Sequence, residues 1–199
     1  MKENYGLPLV LIIVFALTRL PGVMPWNFSA AYALAFCAGV YFPRRMAWWM
    51  PLGTLLVTDV LLNLLYYHIA PFSAYLAVNY LSYAAIIWLG RKFSHQSSWL
   101  KLLGGGLLGA ILFYLITNTA AWLQNPEYAK NPAGWFQALT VGTNGWPETW
   151  KFFRNTLVSG GLFTALFTGA VKLNEAAESA KEKEPVKEPD GEQPEEAKA

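Results

Sequence analysis

Acidic side chains are nearly missing from residues 1–173 of this 199-residue chain, which hold four of them against eleven lysines and arginines. Residues 174–199 hold nine acidic residues against four lysines, so a body of net charge +7 precedes a tail of net charge −5. Only 14% of all residues are charged, whereas about 25% is usual for a soluble protein. Together with a hydrophobic content of 54%, this deficit predicts an integral membrane protein with a charged tail.

Cysteine and histidine are also scarce. The one cysteine, Cys37, cannot form an intrachain disulfide, and the two histidines, His68 and His95, have no partners at metal-ligand spacing. A Gly-x-Gly-x-x-Gly run begins at Gly104, but it lies in an apolar segment with no strand before it, which argues against a nucleotide site. The sequence therefore predicts no metal, no cofactor and no nucleic-acid partner, and the chain has no P-loop with which to hydrolyse ATP.

Apolar segments separated by proline, glycine and basic residues predict a compact all-α bundle of about six transmembrane helices within residues 1–173. The helices are expected at 7–20, 30–42, between the Arg44-Arg45 pair and His68, 72–89, 99–124 and 149–173. The first two are short, so five spans are an alternative. Residues 125–148 are interrupted too often to span and are expected to form an interfacial loop with a short surface helix. Residues 174–199 are predicted to be a disordered cytoplasmic tail.

The positions of lysine and arginine predict the orientation of these helices. With the N-terminus in the cytoplasm, the inner face receives Lys2, Arg44, Arg45, Arg91, Lys92, Lys101 and Lys172, and the outer face receives Arg19, Lys130, Lys151 and Arg154. This bias predicts a multi-pass protein of the bacterial plasma (inner) membrane, surrounded by the lipid bilayer, with both termini in the cytoplasm.

Asp59 is the one charged residue between Arg45 and His68, in a segment long enough to cross a bilayer. A carboxylate there costs on the order of 3 kcal/mol, so it needs a partner or a purpose. In the predicted orientation most other intramembrane polar residues lie in the outer half, several of them on stripes spaced i, i+4 such as Tyr75, Asn79 and Tyr83. The candidate site residues are Arg19, Asn27, Asp59, Asn63, Asn79, Asn118, Trp122, Arg154 and Asn155.

Polar faces of transmembrane helices turn toward the bundle interior or a water-filled cavity. We therefore expect these residues to line an aromatic-walled pocket that opens to the extracytoplasmic side, with Asp59, Arg19 and Arg154 as its charged groups. Two arginines and one aspartate would suit a zwitterion. The alternative is a structural network, in which Asp59 pairs with an arginine and the asparagines hydrogen-bond between helices.

Small residues predict where the helices touch each other. They repeat every fourth position at Ala31, Ala35 and Gly39 on the second helix and at Gly161, Ala165 and Gly169 on the last, and a glycine-rich run opens the fifth.

Several short motifs resemble a family of small, uncharacterised bacterial membrane proteins to which a transport role is ascribed. These motifs are Arg19-Leu20-Pro21, Asn27-Phe28-Ser29, the run from Ala33 to Gly39, Pro51-Leu52 and Asp59. More distantly, six helices with an outward pocket are similar to the substrate-binding S component of energy-coupling-factor transporters. That resemblance implies a transmembrane coupling subunit and two ATPases as partners. S components commonly carry an Ala-x-x-x-Ala pair on the first helix, where this chain has Ala16 alone.

The leading expectation is transport: binding of a small polar or amphipathic solute, as the substrate-binding subunit of a multi-subunit importer. One alternative is an intramembrane enzyme that uses Asp59 as acid or base on a hydrophobic substrate. The spans offer no second carboxylate and no activated serine or cysteine arrangement, which argues against it. The other alternative is a non-catalytic membrane scaffold.

Overall fold

The computed structural model describes residues 6–183, and within them the chain forms seven α-helices, one π-helical segment and no β-strand. The helices are α1 (Gly6–Thr18), α2 (Ala31–Tyr41), α3 (Met46–Leu61), α4 (Ala74–Gly90), α5 (Trp99–Gln124), α6 (Pro132–Thr140) and α7 (Thr149–Lys183). The π-helical segment Leu62–Tyr66 follows α3 directly. The all-helical class predicted from the sequence is confirmed.

Three stretches of the described chain are long and apolar enough to cross a bilayer, namely Met46–Tyr66, Trp99–Gln124 and Thr149–Ala177. These stretches support the conclusion that the chain is a membrane protein. The helices α1, α2 and α4 are apolar but shorter. The 11 residues of α2 rise only about 17 Å, against a hydrocarbon core of about 30 Å.

The helix α2 lies at the centre of the bundle. Every residue from Ala31 to Gly39 is buried, and the helix contacts α3, α4, α5 and α7. A Cβ atom at Gly39 would overlap the carbonyl oxygen of Ile87 on α4, and one at Gly90 would overlap the carbonyl oxygen of Phe36. The two helices therefore cross backbone to backbone, and the small-residue stripe of α2 is used inside the bundle.

The helices α5 and α7 pack along each other through a second seam of small residues. A Cβ atom at Gly160 would lie 2.8 Å from the Cβ atom of Ala110, and one at Gly106 would overlap the side chain of Thr164. Thr156, Thr164 and Thr168 repeat around Gly160 at every fourth position, and each is fully buried. The seam runs one residue before the stripe that the sequence suggested, which is only partly buried.

The helix α1 and the end of α7 lie at the edges of the structure. The helix α1 contacts α2 and α3 and exposes apolar side chains such as Leu9 and Leu17. The helix α7 continues to Lys183 instead of ending at residue 173, because this stretch is rich in the helix formers Ala, Glu and Lys. Lys172 also pairs with Glu175 at 3.4 Å, one turn along. The rest of the predicted tail, residues 184–199, lies outside the described residues.

The short helix expected between 125 and 148 is α6. Asn131 caps it by accepting a hydrogen bond from the backbone N–H of Gly134 at 2.9 Å, and Pro132 follows in the first turn. The helix packs on α5 and α7 at the end of the bundle where α7 begins.

Candidate functional site

A cavity of about 720 Å³ lies where the end of α1, the end of α3 and the start of α4 meet. Its volume falls within the range of roughly 300–1,000 Å³ that is typical of small-molecule sites. Loop 19–30, which joins α1 to α2, forms much of its wall. The floor is buried at Tyr32, Tyr83 and Phe113, whereas rim residues such as Trp26 and Tyr67 are exposed.

Arg19 and Asp59 form an ion pair in the wall of this cavity. The guanidinium group of Arg19 donates to Oδ1 of Asp59, and the hydroxyl group of Tyr80 donates to Oδ2 at 3.1 Å. The two charged side chains are 22% and 14% exposed, so the pair is mostly removed from solvent. This arrangement supplies the partner that a carboxylate within an apolar helix requires.

The π-helical segment after Asp59 continues the wall of the cavity. It places Asn63 and Tyr66 at the cavity, together with Tyr67 directly after it, and the side-chain amide of Asn63 donates to the carbonyl oxygen of Pro71 at 3.3 Å. This hydrogen bond links the start of the segment to the turn that leads into α4. A π-helical segment inside a helix is often found at functional sites, because its wider turn redirects the side chains that follow.

Three aromatic rings form the floor of the cavity. The Tyr32 and Phe113 rings lie 4.9 Å apart at 64°, the Tyr83 and Phe113 rings lie 4.9 Å apart at 39°, and the Tyr32 and Tyr83 rings lie 6.2 Å apart. These separations are those of favourable edge-to-face and offset ring pairs. The floor is therefore a rigid aromatic surface made by α2, α4 and α5.

Loop 19–30 is braced against the start of α7. The side-chain amide of Asn155 donates to the carbonyl oxygen of Trp26 at 2.9 Å, and the indole of Trp26 stacks on Phe152 with ring centroids 5.8 Å apart. Asn27 has a positive φ of 59°, a conformation in which asparagine is enriched, and its carbonyl oxygen accepts from the hydroxyl of Tyr32 at 3.2 Å. These contacts hold the cavity wall in place.

Two polar atoms of cavity-lining residues are buried without a hydrogen-bond partner in the part of the chain that the structure describes. They are Nε of Arg19 and Oδ1 of Asn79. A buried polar atom left unpaired costs about 1–3 kcal/mol. Such atoms call for an explanation, and a role in the function of the site is one of the recognised explanations.

Five of the candidate residues come together at the cavity: Arg19, Asn27, Asp59, Asn63 and Asn79. Asn155 does not line it but holds Trp26, which does.

The other three candidates lie elsewhere and have other contacts. Asn118 donates to the carbonyl oxygen of Tyr114 within α5 at 2.9 Å, and the indole N–H of Trp122 donates to the carbonyl oxygen of Ala129 at 2.8 Å. Arg154 is exposed and lies over the ring of Trp150 at 5.7 Å. The cavity therefore has one arginine among its lining residues, where the sequence suggested two.

Sequence reasoning missed Tyr80, which donates to Asp59 from α4. Tyr80 follows Asn79 directly and so stands off the stripe of Tyr75, Asn79 and Tyr83, all of which line the cavity. Tyr80 lies three positions before Tyr83 and so neighbours it on the helix surface, and this spacing could have identified it. Within residues 6–183, no group of three or more His, Cys, Asp and Glu side chains is placed to hold a metal ion.

One of the three comparisons with known proteins gives a match. No curated protein matches this chain, and no solved structure does so either. Nothing in these comparisons supports a relationship with the S component of energy-coupling-factor transporters. A family model matches residues 1–182, which is nearly the whole chain, and agrees with the resemblance to an uncharacterised family. The chain belongs to a family of unknown function (DUF6580).

Proposed function

We propose that this protein is a membrane transport subunit that binds a small polar or amphipathic solute in the cavity between α1, α3 and α4. The observation that carries the proposal is the cavity itself, with its aromatic floor, its ion pair and its unpaired polar atoms. A concave site that combines apolar and aromatic side chains with a few convergent polar groups is the usual form of a ligand site.

A purely structural network explains less of this geometry. The ion pair of Arg19 and Asp59 satisfies the carboxylate, but it leaves Nε of Arg19 and Oδ1 of Asn79 unpaired within the described chain. Pairing these two atoms would stabilise the protein. A bound solute that draws the two side chains toward it would pair them.

Catalysis by Asp59 is also less well supported than binding. Both of its carboxylate oxygens already accept hydrogen bonds, from Arg19 and from Tyr80. The residues that line the cavity in the described structure include no second carboxylate and no histidine. A general acid–base mechanism needs a group that is free to reach the reacting proton.

The proposed arrangement in the membrane has six spans, with both termini in the cytoplasm and the cavity open to the extracytoplasmic side of the inner membrane. The exposed basic residues Arg44, Arg45, Arg91 and Lys92 lie in the turns after α2 and α4. The cavity lies at the turns after α1 and α3. Because successive turns of an up-and-down bundle alternate between its ends, the basic residues and the cavity fall at opposite ends, in agreement with the positive-inside rule.

Energy for uptake would come from a partner or from an ion gradient, because the chain has no P-loop. A transmembrane coupling subunit with ATPases, as in importers with an S component, is the proposed partner. The small-residue stripe of α2 is buried against α4 and is not free to receive it. The exposed apolar side chains of α1, such as Val10 and Ile13, offer a more accessible surface.

The proposal is tested by a thermal-shift screen of the purified protein in detergent. The panel holds amino acids, water-soluble vitamins, nucleobases, sugars and divalent metal ions. The variant Asn79→Ala removes a cavity amide, and Asn118→Ala removes a helical amide that the structure places outside the cavity.

We expect at least one compound to raise the melting temperature of the wild type and of Asn118→Ala, but not that of Asn79→Ala. If no compound stabilises the wild type, or if Asn79→Ala responds as the wild type does, the cavity is not a solute site.

A further inference from the structure

The charges of the cavity cancel each other. The charged residues that line it are Arg19 and Asp59, which are paired, and both oxygens of Asp59 are engaged because Tyr80 donates to Oδ2 at 3.1 Å. Arg154 lies outside the cavity. An ionised ligand would find no spare counter-ion and would either break the existing pair or lose its hydration without compensation. The cavity therefore favours an uncharged occupant over the zwitterion expected from the sequence.

The remaining polar groups of the wall are neutral. They include the side-chain amides of Asn27, Asn63 and Asn79 and the hydroxyl group of Ser29. Oδ1 of Asn79 has no hydrogen-bond partner in the described chain. The terminal torsion of an asparagine amide is broad, so this group can turn toward an occupant at little cost. An amide on the ligand would suit it, since an amide both donates and accepts.

The floor of the cavity favours a planar ring. The side chains of Tyr32, Tyr83 and Phe113 pack with centroid separations between 4.9 and 6.2 Å and form one aromatic cluster at the floor of the cavity. Each is almost fully buried, so its ring is held in place by the helices behind it. A ligand ring gains both apolar burial and aromatic contacts on such a surface.

The geometry points to an uncharged, planar ligand that carries an aromatic or heteroaromatic ring and a carboxamide-like group. The ring packs on the floor of Tyr32, Tyr83 and Phe113, and the amide pairs with Asn79. This inference rests on the proposed function and narrows it, because it names the ligand class of the same cavity.

The test uses four probes that share one ring and differ in charge. They are benzamide (neutral), benzoate (anionic), benzylamine (cationic at pH 7) and 4-(aminomethyl)benzoate (zwitterionic). Binding to the full-length protein in detergent is measured by saturation-transfer difference NMR, with empty micelles as the blank. The variants are Asn79→Leu in the wall and Asn118→Leu on α5, each checked by gel filtration before use.

We expect benzamide to bind at least about tenfold more tightly than each charged probe, because only the charged probes lose hydration without compensation. The variant Asn79→Leu should weaken benzamide about fivefold through the lost hydrogen bond, and Asn118→Leu should not. The charge series on the wild type tests the ligand class even if a variant does not fold.

The outcomes separate this inference from the proposed function. If a charged probe binds as tightly as benzamide and Asn79→Leu weakens it, the cavity binds solutes but the ligand class is wrong. If benzamide binds equally well to Asn79→Leu, the assigned amide contact is wrong. If no probe of any charge binds above the micelle blank, the ligand class is overturned, and the thermal-shift screen decides separately whether the cavity is a solute site.

Discussion

Arg19, directly after α1, donates to Asp59 on α3. This ion pair links the two helices through residues that lie 40 positions apart in the sequence. Most of each side chain is withdrawn from solvent. The net stability gained from such a pair is small, because desolvating two charges costs almost as much as their attraction returns. Losing one partner is different, since it leaves an isolated charge in an apolar setting.

This asymmetry predicts the result of a double-mutant cycle. The variant Asp59→Leu should lower the free energy of unfolding by about 3 kcal/mol, because it leaves Arg19 unpaired. The double variant Arg19→Leu/Asp59→Leu should recover at least about half of that loss. Unfolding is followed by tryptophan fluorescence as SDS is titrated into mixed micelles. If the double variant loses as much stability as Arg19→Leu and Asp59→Leu lose separately and in sum, the two residues are not coupled.

The brace between Asn155 and the Trp26 carbonyl gives a second prediction. The variant Asn155→Ala should speed amide hydrogen exchange in loop 19–30 about fivefold, because it removes a hydrogen bond worth about 1 kcal/mol. The control is Val158→Ala on the same helix, since Val158 is exposed. Hydrogen–deuterium exchange with mass spectrometry measures both. Equal exchange in the two variants would mean that the loop is held by the stacking of Trp26 alone.

The close crossing of α2 and α4 gives a third prediction. The variant Gly39→Ala should lower the free energy of unfolding by about 2 kcal/mol or more, because the new Cβ atom would overlap the Ile87 carbonyl oxygen. The matched control is Gly53→Ala on α3, where a Cβ atom meets nothing within 4 Å. That change should be neutral or slightly stabilising. SDS titration compares the two, and similar stabilities would contradict the backbone crossing.

The proposed orientation gives a fourth prediction, tested in intact cells. The background is Cys37→Ser, which removes the buried native thiol. An exposed cysteine introduced by Asn144→Cys, in the loop before α7, should react with a membrane-impermeant maleimide. One introduced by Gln96→Cys, in the turn between α4 and α5, should react only after the cells are lysed. The reverse pattern would invert the topology and place the cavity at the cytoplasmic face.

The sequence was informative where one physical rule acted alone. A single carboxylate in a long apolar segment demands a partner, so the pairing of Asp59 with an arginine was foreseeable. The choice between Arg19 and Arg154 was not, because both were expected near the outer face and only the packing of loop 19–30 distinguishes them. The stripe of Tyr75, Asn79 and Tyr83 was also recognisable, since one helical face carries all three to the cavity.

The candidates that failed to reach the cavity show what a periodic pattern cannot provide. Asn118 lies on a stripe as regular as that of Asn79, yet its amide is satisfied by the carbonyl oxygen of Tyr114 in its own helix. Local back-bonding of this kind leaves no trace in residue spacing. The indole of Trp122 likewise finds a carbonyl partner at Ala129 after the chain turns. In both cases the side chain donates to a nearby backbone carbonyl oxygen and does not reach the cavity.

The ion pair also bears on how the protein enters the membrane. Arg19 precedes Asp59 in the chain, so in the proposed six-span arrangement α1 would enter the membrane before the segment Met46–Tyr66. A chain without α1 would have to insert that segment with its carboxylate unpaired, at a cost of about 2.5–3.5 kcal/mol. Besides contributing Leu11 and Phe15 to the core, the first helix is therefore expected to act as an intramolecular insertion partner for the third.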